Sequence, residues 1–423
     1  MGRNRFAVWV VALLVGHCLA LPASAQNYGA ELYNNAQPAS GGLAGVSLSR
    51  PQDAQSALFG NPATMGQYRG TTFGFGGAWI EPSISVKHDG FVTRVVGGGP
   101  WSGRSEAEGS LVGGFAVVQD LEPFLGMPVT MGVGLNPGSG AAASFREQPG
   151  SVGTTADLLA LDLTNGFSVR LSDKLSVGGA FILSTGIADL ALVQTSGATN
   201  DYAAGGAFGI SYELPRESSL GVYYRTPIQY SFDALFSIDP PGRTRPRVFR
   251  TINMDRPGTY GLGVANQSLM GGDLLLAVDV MYIDWENADL FSSMYKNQWT
   301  IALGTQYSLD CWRLRAGYAY NTNPIRNNVG IDVSGFTIGT AAVQYFQATQ
   351  GPAISQHRLT GGVGKKDLLP NVDLDLFAGG QFHAEQNFGV HTSASYIAWF
   401  AGFGLTWHFG AHETGCVQTA PAR

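Results

Sequence analysis

The chain has 423 residues, 44% of them apolar and only 13% charged, with a formal net charge of −6. Its 58 glycines are about twice the ~7% usual share without a three-residue repeat, and 23 Phe, 16 Tyr and 8 Trp accompany them, which excludes both collagen and disorder. Charged residues at roughly half the ~25% of soluble domains leave too little polar surface for water, and the absence of a long apolar run after residue 25 excludes a helical membrane protein, so an all-β chain in lipid is what survives.

In chain order, residues 1–25 read as a cleaved export signal: Arg3 and Arg5, an apolar stretch from Phe6 to Leu21, then Ala23-Ser24-Ala25 before Gln26. Cys18 follows His17, where a lipobox expects a small residue, which argues against a lipoprotein. Loss of this segment takes the net charge from −6 to −8, because it carries two arginines and no acid, and leaves no basic field for nucleic acid. Residues 26–70 have small residues, turn formers and prolines but no period-2 run long enough to span, so they read as a compact segment rather than wall.

From Thr71 to Phe409 the sequence alternates in polarity through fourteen predicted strands, an even number that returns both ends to one side. The strand from Trp299 to Leu309 sets Trp299, Ile301, Leu303, Tyr307 and Leu309 against Thr300, Ala302, Gly304, Gln306 and Ser308. A greasy face with aromatics at its ends, opposite a face of glycine, fits aromatic girdles in lipid around a narrow interior. Closure into a barrel also removes sheet edges, whose N–H and C=O groups lipid cannot satisfy. Short turns such as 172–174, 215–219, 268–272, 310–311 and 367–371 alternate with long connections such as 234–255 and 323–354. Short turns face the periplasm in such barrels, which places both termini there, in the outer membrane of a Gram-negative bacterium. Residues 410–423 form a tail on the same side. The glycine-lined interior favours residues 26–70 as a plug inside the barrel 71–409.

These residues resemble a known family. Ser40-Gly41-Gly42-Leu43-Ala44-Gly45, Asp53-Ala54 and then Asn61-Pro62-Ala63, before a glycine- and aromatic-rich first strand, are similar to the hatch of the FadL-type outer-membrane transporters of long-chain fatty acids and other hydrophobic compounds. The segment Leu314 to Tyr320 with Asn323-Pro324-Ile325 resembles the family's eleventh strand and the loop after it. The resemblance covers nearly the whole mature chain and implies a monomeric fourteen-stranded barrel, passive diffusion without cofactor, capture on an outer loop and a lateral opening beside a kinked third strand. One departure is the fourteen residues after Phe409, where family barrels commonly finish on an aromatic residue.

The chemistry of such transport can be stated from physical grounds. A fatty acid or aromatic hydrocarbon needs dry contacts worth about 25 cal/mol per Å² along its path, and a continuous hydrogen-bonded wall gives it no way out sideways. The candidate break is Leu135-Asn136-Pro137-Gly138-Ser139-Gly140, late in the strand predicted at 128–140. Pro137 cannot donate to the ladder, and Gly138 and Gly140 permit bends. The alternative is that Asn136-Pro137-Gly138 begins the outer loop. Alternation turns Arg170, Arg225, Asp279, Arg313, Arg315, Asp373 and Asp375 inward, where most are expected to pair with one another or with the plug. Tyr223, Arg225, Phe377 and Phe400 are the candidate ligand pocket, Arg225 being the choice for a carboxylate head group. In the loop 234–255, Leu235, Phe236, Ile238 and Phe249 are candidates for capture of a greasy ligand, beside arginines 243, 245, 247 and 250 that could instead bind lipopolysaccharide phosphates. Cys311 in a short turn and Cys416 in the tail fall on the same side of the membrane, where a disulfide is a candidate.

Catalysis is not expected: there is no G-x-S-x-G, no H-E-x-x-H, and the histidines are scattered. The competing functional classes are a general diffusion porin and a surface adhesin, from which a plugged lumen would distinguish this chain.

Overall fold

The computed structural model describes residues 36–191, 198–236, 249–333 and 335–410. The export signal, the tail beyond residue 410 with Cys416, Ile238 and arginines 243, 245 and 247 lie outside the described residues. Fourteen antiparallel strands form the wall: β1 Thr71–His88, β2 Ser110–Asp120, β3 Val129–Ser144, β4 Thr155–Arg170, β5 Leu175–Ala191, β6 Thr199–Leu214, β7 Ser218–Arg225, β8 Thr259–Leu269, β9 Leu274–Ile283, β10 Gln298–Leu309, β11 Trp312–Asn321, β12 His357–Leu369, β13 Val372–Phe388 and β14 Thr392–Phe409. Each pairs with its neighbours in the chain, and β14 returns to pair with β1 from Thr71↔Phe409 to His88↔Thr392, which closes the barrel.

The closed ladder leaves the outer surface to side chains, and these are apolar. On β10 Trp299, Ile301, Leu303, Tyr307 and Leu309 are exposed while Thr300, Ala302 and Gln306 are buried. Exposed large apolar residues recur on the other strands, among them Phe115, Phe167, Phe181, Phe208, Leu262 and Leu359. In water such a belt would be an aggregation surface; against acyl chains it is the matched exterior of a transmembrane barrel. Its rim is aromatic at the end that carries the long loops. Tyr224, Tyr260, Tyr282 and Trp299, one from each of β7 to β10, stand ring to ring at 4.8, 6.2 and 5.0 Å. At the short-turn end Phe73 packs on Trp407 at 5.4 Å and the Lys365 ammonium sits 4.8 Å over Trp312.

The inward face is made of glycine because chain packs directly on it. A Cβ at Gly209 would lie 1.8 Å from Asn61 Oδ1, one at Gly221 2.0 Å from the Leu48 carbonyl, and one at Gly404 2.2 Å from Pro38. Residues 36–70 fold as a short 3-10 turn Ser40–Leu43, an α-helical turn Ala54–Phe59 and a second 3-10 turn Pro62–Gln67, all largely buried against the wall.

The predicted strands agree with the observed ones to within a few residues except at one place. Positions 220–233 read as one strand, with an outer loop over 234–255. The wall strand β7 instead ends at Arg225 and β8 begins at Thr259. Between them Ile228–Phe236 and Arg250–Arg256 pair as a hairpin that belongs to a separate two-stranded sheet. Pro227 and Pro257 flank it, and neither can donate to a wall ladder.

Candidate functional site

Inward side chains of the wall, of which the alternation picks out Asp279, hold residues 36–70 in place. Asp279 on β9 accepts the Ser47 and Leu48 amides at 2.7 and 3.0 Å. Thr360 on β12 accepts the Ala44 amide at 2.9 Å, and Arg358 donates to the Ala44 carbonyl at 3.3 Å. Within the segment Asp53 joins two turns: one carboxylate oxygen caps the Ala54–Phe59 helix by accepting the Ser56 amide at 2.6 Å, and the other accepts the Ala39 amide at 2.9 Å. Asn61 is fully buried; its amide donates to the Leu48 and Ile210 carbonyls at 2.8 and 3.0 Å, and its Oδ1 accepts from Ala63 at 3.1 Å. Pro62 starts the 3-10 turn, and the Ala63 carbonyl accepts the Ser168 hydroxyl of β4 at 2.8 Å. Of the remaining charges turned inward, Arg315 pairs with Asp375 as expected; Asp373 pairs with His408 at 3.1 Å and Arg170 with Glu122 of an exposed short turn, while Arg313 donates to the main-chain carbonyls of Asp310 and Trp312, both at 2.9 Å.

The wall is interrupted where the sequence placed the break. β2 and β3 pair only from Phe115↔Leu135 to Asp120↔Thr130. Beyond Leu135, β3 keeps its pairing with β4 alone, with an irregularity between Pro137 and Ser139, while Ser110 to Gly114 pair with β1 alone. Contact across the gap resumes at Ser144, whose carbonyl accepts the Glu106 amide at 2.8 Å and whose amide donates to Ser105 Oγ at 3.0 Å. Asn136, Pro137, Gly138 and Gly140 all lie in this interval. They do not begin the outer loop, because β3 runs on to Ser144.

Behind the break stand groups that sequence reading missed. Arg256 Nη1, at the end of the luminal hairpin, lies 2.7 and 2.9 Å from the two oxygens of Asp162 on β4. Ser184 on β5 donates to Asp162 at 2.5 Å and meets the Tyr230 hydroxyl at 2.5 Å. A Cβ on Gly138 would fall 2.3 Å from Asp162 Oδ2 and 2.4 Å from Arg256 Nη1, so the glycine lets the kinked strand touch the ion pair. The hairpin itself packs Ile228 against Gly205 and Tyr230 and Phe232 against Gly186. The expectation of an exposed capture loop is corrected accordingly. Leu235 is fully buried in this packing and so is Ile252; Phe249 is exposed, and the Phe236 side chain is outside the described part. The prolines at 227 and 257 were the available signal.

The proposed pocket residues do not converge. Tyr223 is buried in the large interior cluster, and Arg225 is half-buried beside Thr259, 3.4 Å from its hydroxyl. Phe377 and Phe400, 6.5 Å apart, belong to a separate cluster with Ala36, Ala78, Ile80 and Val112. Alternation gives the face of each residue but not which side of the barrel it shares. The large cluster instead runs from Leu48 and Tyr223 through the hairpin to Trp285, Phe291 and Tyr295 of the 284–297 loop and to Tyr345. Tyr345 lies on a loop helix, Thr340–Thr349; it is fully buried, its hydroxyl 2.7 Å from that of Thr154 and its ring 4.6 Å from His88. Burial pushes this phenol well above the ordinary tyrosine range.

The two ends of the interior differ in chemistry. Among the long loops a narrow crevice of about 10 Å³ is lined by Leu158, Leu290, Phe291, Met294, Tyr295 and Phe346, with Gln347 and Gln350. At the short-turn end, on the other side of residues 36–70, a cavity of about 590 Å³ is polar, with Arg50, Gln52, Arg69, Arg313, Lys366, Asp373 and His408 in its lining. Cys311, buried in the turn between β10 and β11, is disulfide-bonded.

No family model matches the sequence, and no curated protein matches it. The fold does match solved structures. The P. putida toluene transporter TodX superposes with a TM-score of 0.68 at 17% identity, over 90% of this chain and 100% of that one. A Pseudomonas aeruginosa FadL homologue gives 0.67 at 16% identity, over 88% and 98%, and the Ralstonia pickettii toluene transporter TbuX 0.57 at 14%, over 89% and 99%. The likeness is one of architecture, over about nine-tenths of this chain, at 14–17% identity.

Proposed function

We propose that this barrel carries hydrophobic small molecules across the outer membrane of a Gram-negative bacterium, from the long-loop end to an exit through the wall at the β2–β3 break. The observation that carries the reading is the continuity of one apolar cluster from the crevice residues Leu290, Phe291, Met294 and Tyr295 to Ala141 and Ala143, just beyond Pro137 on β3. A solute moving along it stays in apolar contact at about 25 cal/mol per Å² and reaches a place where the ladder between neighbouring wall strands lapses.

In this reading the loops open at the apolar crevice to capture the molecule, the luminal hairpin and Tyr223 line its way, and residues 36–70 block passage straight down to the polar cavity. The short turns and both termini face the periplasm. No energy source enters, because the solute moves down its own gradient, and no reacting group is needed, so the protein is a transporter and not an enzyme. It works as a monomer, with lipopolysaccharide and lipid at its aromatic belt. The neighbours in fold that are toluene transporters fit an aromatic or alkyl solute.

The test is uptake by whole cells of the protein with residues 135–140 replaced by a regular alternating strand. Restored pairing between β2 and β3 is expected to cut uptake about tenfold, the factor that about 1.4 kcal/mol on a barrier represents. Pro137→Ala is expected to give a smaller fall. Unchanged uptake in the strand replacement would remove the exit from the wall.

A further inference from the structure

A greasy path has no need of ions, yet a guanidinium and a carboxylate face each other directly behind the break. Arg256 and Asp162 have side chains only 2% and 6% exposed and are joined at 2.7 Å. They come from different elements, the luminal hairpin and β4, and Gly138 of the kinked strand touches both. Stability does not require such a pair, because taking both ions out of water offsets most of their attraction and well-packed apolar residues serve as well.

We propose that Asp162 is a built-in counter-ion that makes the exit selective for uncharged hydrophobic molecules, by occupying the guanidinium that would otherwise hold a carboxylate. This rests on the reading of the break as the exit. A free arginine in a dry cleft is a strong, fork-shaped receptor for a fatty carboxylate. Here an incoming carboxylate has to displace a partner fixed in the same protein, which competes at the high effective concentration of an intramolecular group. It also strands Asp162 as a second buried negative charge beside its own. An alcohol or hydrocarbon displaces nothing and needs only the apolar surface that Ile228, Tyr230 and Phe232 supply. Among the described residues, two further arginines buried at the lumen are engaged too, Arg315 with Asp375 and Arg358 with the Ala44 carbonyl.

The experiment compares uptake of 1-dodecanol and laurate, which share a chain and differ in head group, at about pH 7 where the carboxyl is ionised. Cells making the protein are measured against cells without it. The wild type is expected to favour dodecanol by about tenfold or more, and Asp162→Asn, which removes the negative charge facing Arg256, to raise laurate uptake about tenfold with dodecanol little changed. Removal of both partners, Asp162→Leu with Arg256→Met, is expected to leave laurate uptake low. Equal wild-type uptake of the two probes, or an unchanged ratio in Asp162→Asn, overturns the proposal, whereas uptake of neither probe by the wild type sinks the transport reading itself. Should Asp162→Asn fail to insert, judged by heat-modifiable migration, competition on the wild type decides: excess ethylbenzene is expected to suppress dodecanol uptake and excess laurate to leave it intact, and suppression by laurate overturns the proposal.

Discussion

Asn61 is a single side chain that closes a turn and fastens it to the wall. Its amide reaches the carbonyl of Leu48 within the luminal segment and that of Ile210 on β6, and a Cβ at Gly209 would overlap its oxygen. Asn61→Ala removes two donated bonds in a buried setting and leaves their acceptors unsatisfied, a loss of about 1–3 kcal/mol. That is enough to raise the population in which residues 36–70 are displaced by about 5-fold to about 150-fold, so brief openings in planar bilayers are expected to become correspondingly frequent. Gly209→Val should act the same way by pushing Asn61 off its acceptors, and bilayer traces no busier than wild type in both variants would show that the segment is held elsewhere. Much of this was legible. Asn-Pro is a cap followed by the residue that fits the first helical position, and Asp279 had to face inward by alternation. Its partners, two main-chain amides more than 230 positions away, leave no mark in either local stretch.

The luminal hairpin shows where reading by element fails. Tyr230 and Phe232 alternate with Gln229 and Ser231 as well as any wall strand does, since a strand packed on a sheet and a strand facing lipid obey the same period. Only the prolines at 227 and 257 distinguish the two, because a ladder cannot run through them on both sides. The loop helix Thr340–Thr349 was equally hidden. It lies in a connection read only by its length; Tyr345 seats it against Thr154, His88 and Trp101, and Gln347 donates to the Met294 and Arg326 carbonyls. Tyr345→Phe loses one hydroxyl contact, worth about 0.5–1.5 kcal/mol, whereas Tyr345→Ala empties a buried aromatic site at about 3–5 kcal/mol. In the alanine variant the loop should become cleavable by trypsin after Arg326, which is otherwise tied to Glu286 and the Tyr295 carbonyl. Cleavage at the wild-type rate in Tyr345→Ala would mean that the helix is held by its other contacts.

At the scale of the whole molecule the barrel was readable because lipid imposes one rule on every strand, apolar outside and small inside, and because closure demands that the number of passes fit. What period and composition could not supply is the vertical order of the interior: an apolar crevice among the long loops, the luminal segment across the middle, and a polar cavity of about 590 Å³ below it. That order makes a sharp demand on permeation. Salt and sugars meet greasy chain from above and buried helix turns from below, so the intact protein should conduct almost nothing although its wall is as wide as fourteen strands allow. Removing residues 36–68 takes away the middle layer, exposes the glycine faces of the strands around it to water, and joins the cavity to the space beneath the hairpin. Single channels of this deletion should conduct steadily, and ordinary sugars should equilibrate across liposomes that carry it. Large conductance already present in the full-length barrel would instead identify an open porin, and the apolar cluster would then be packing rather than path.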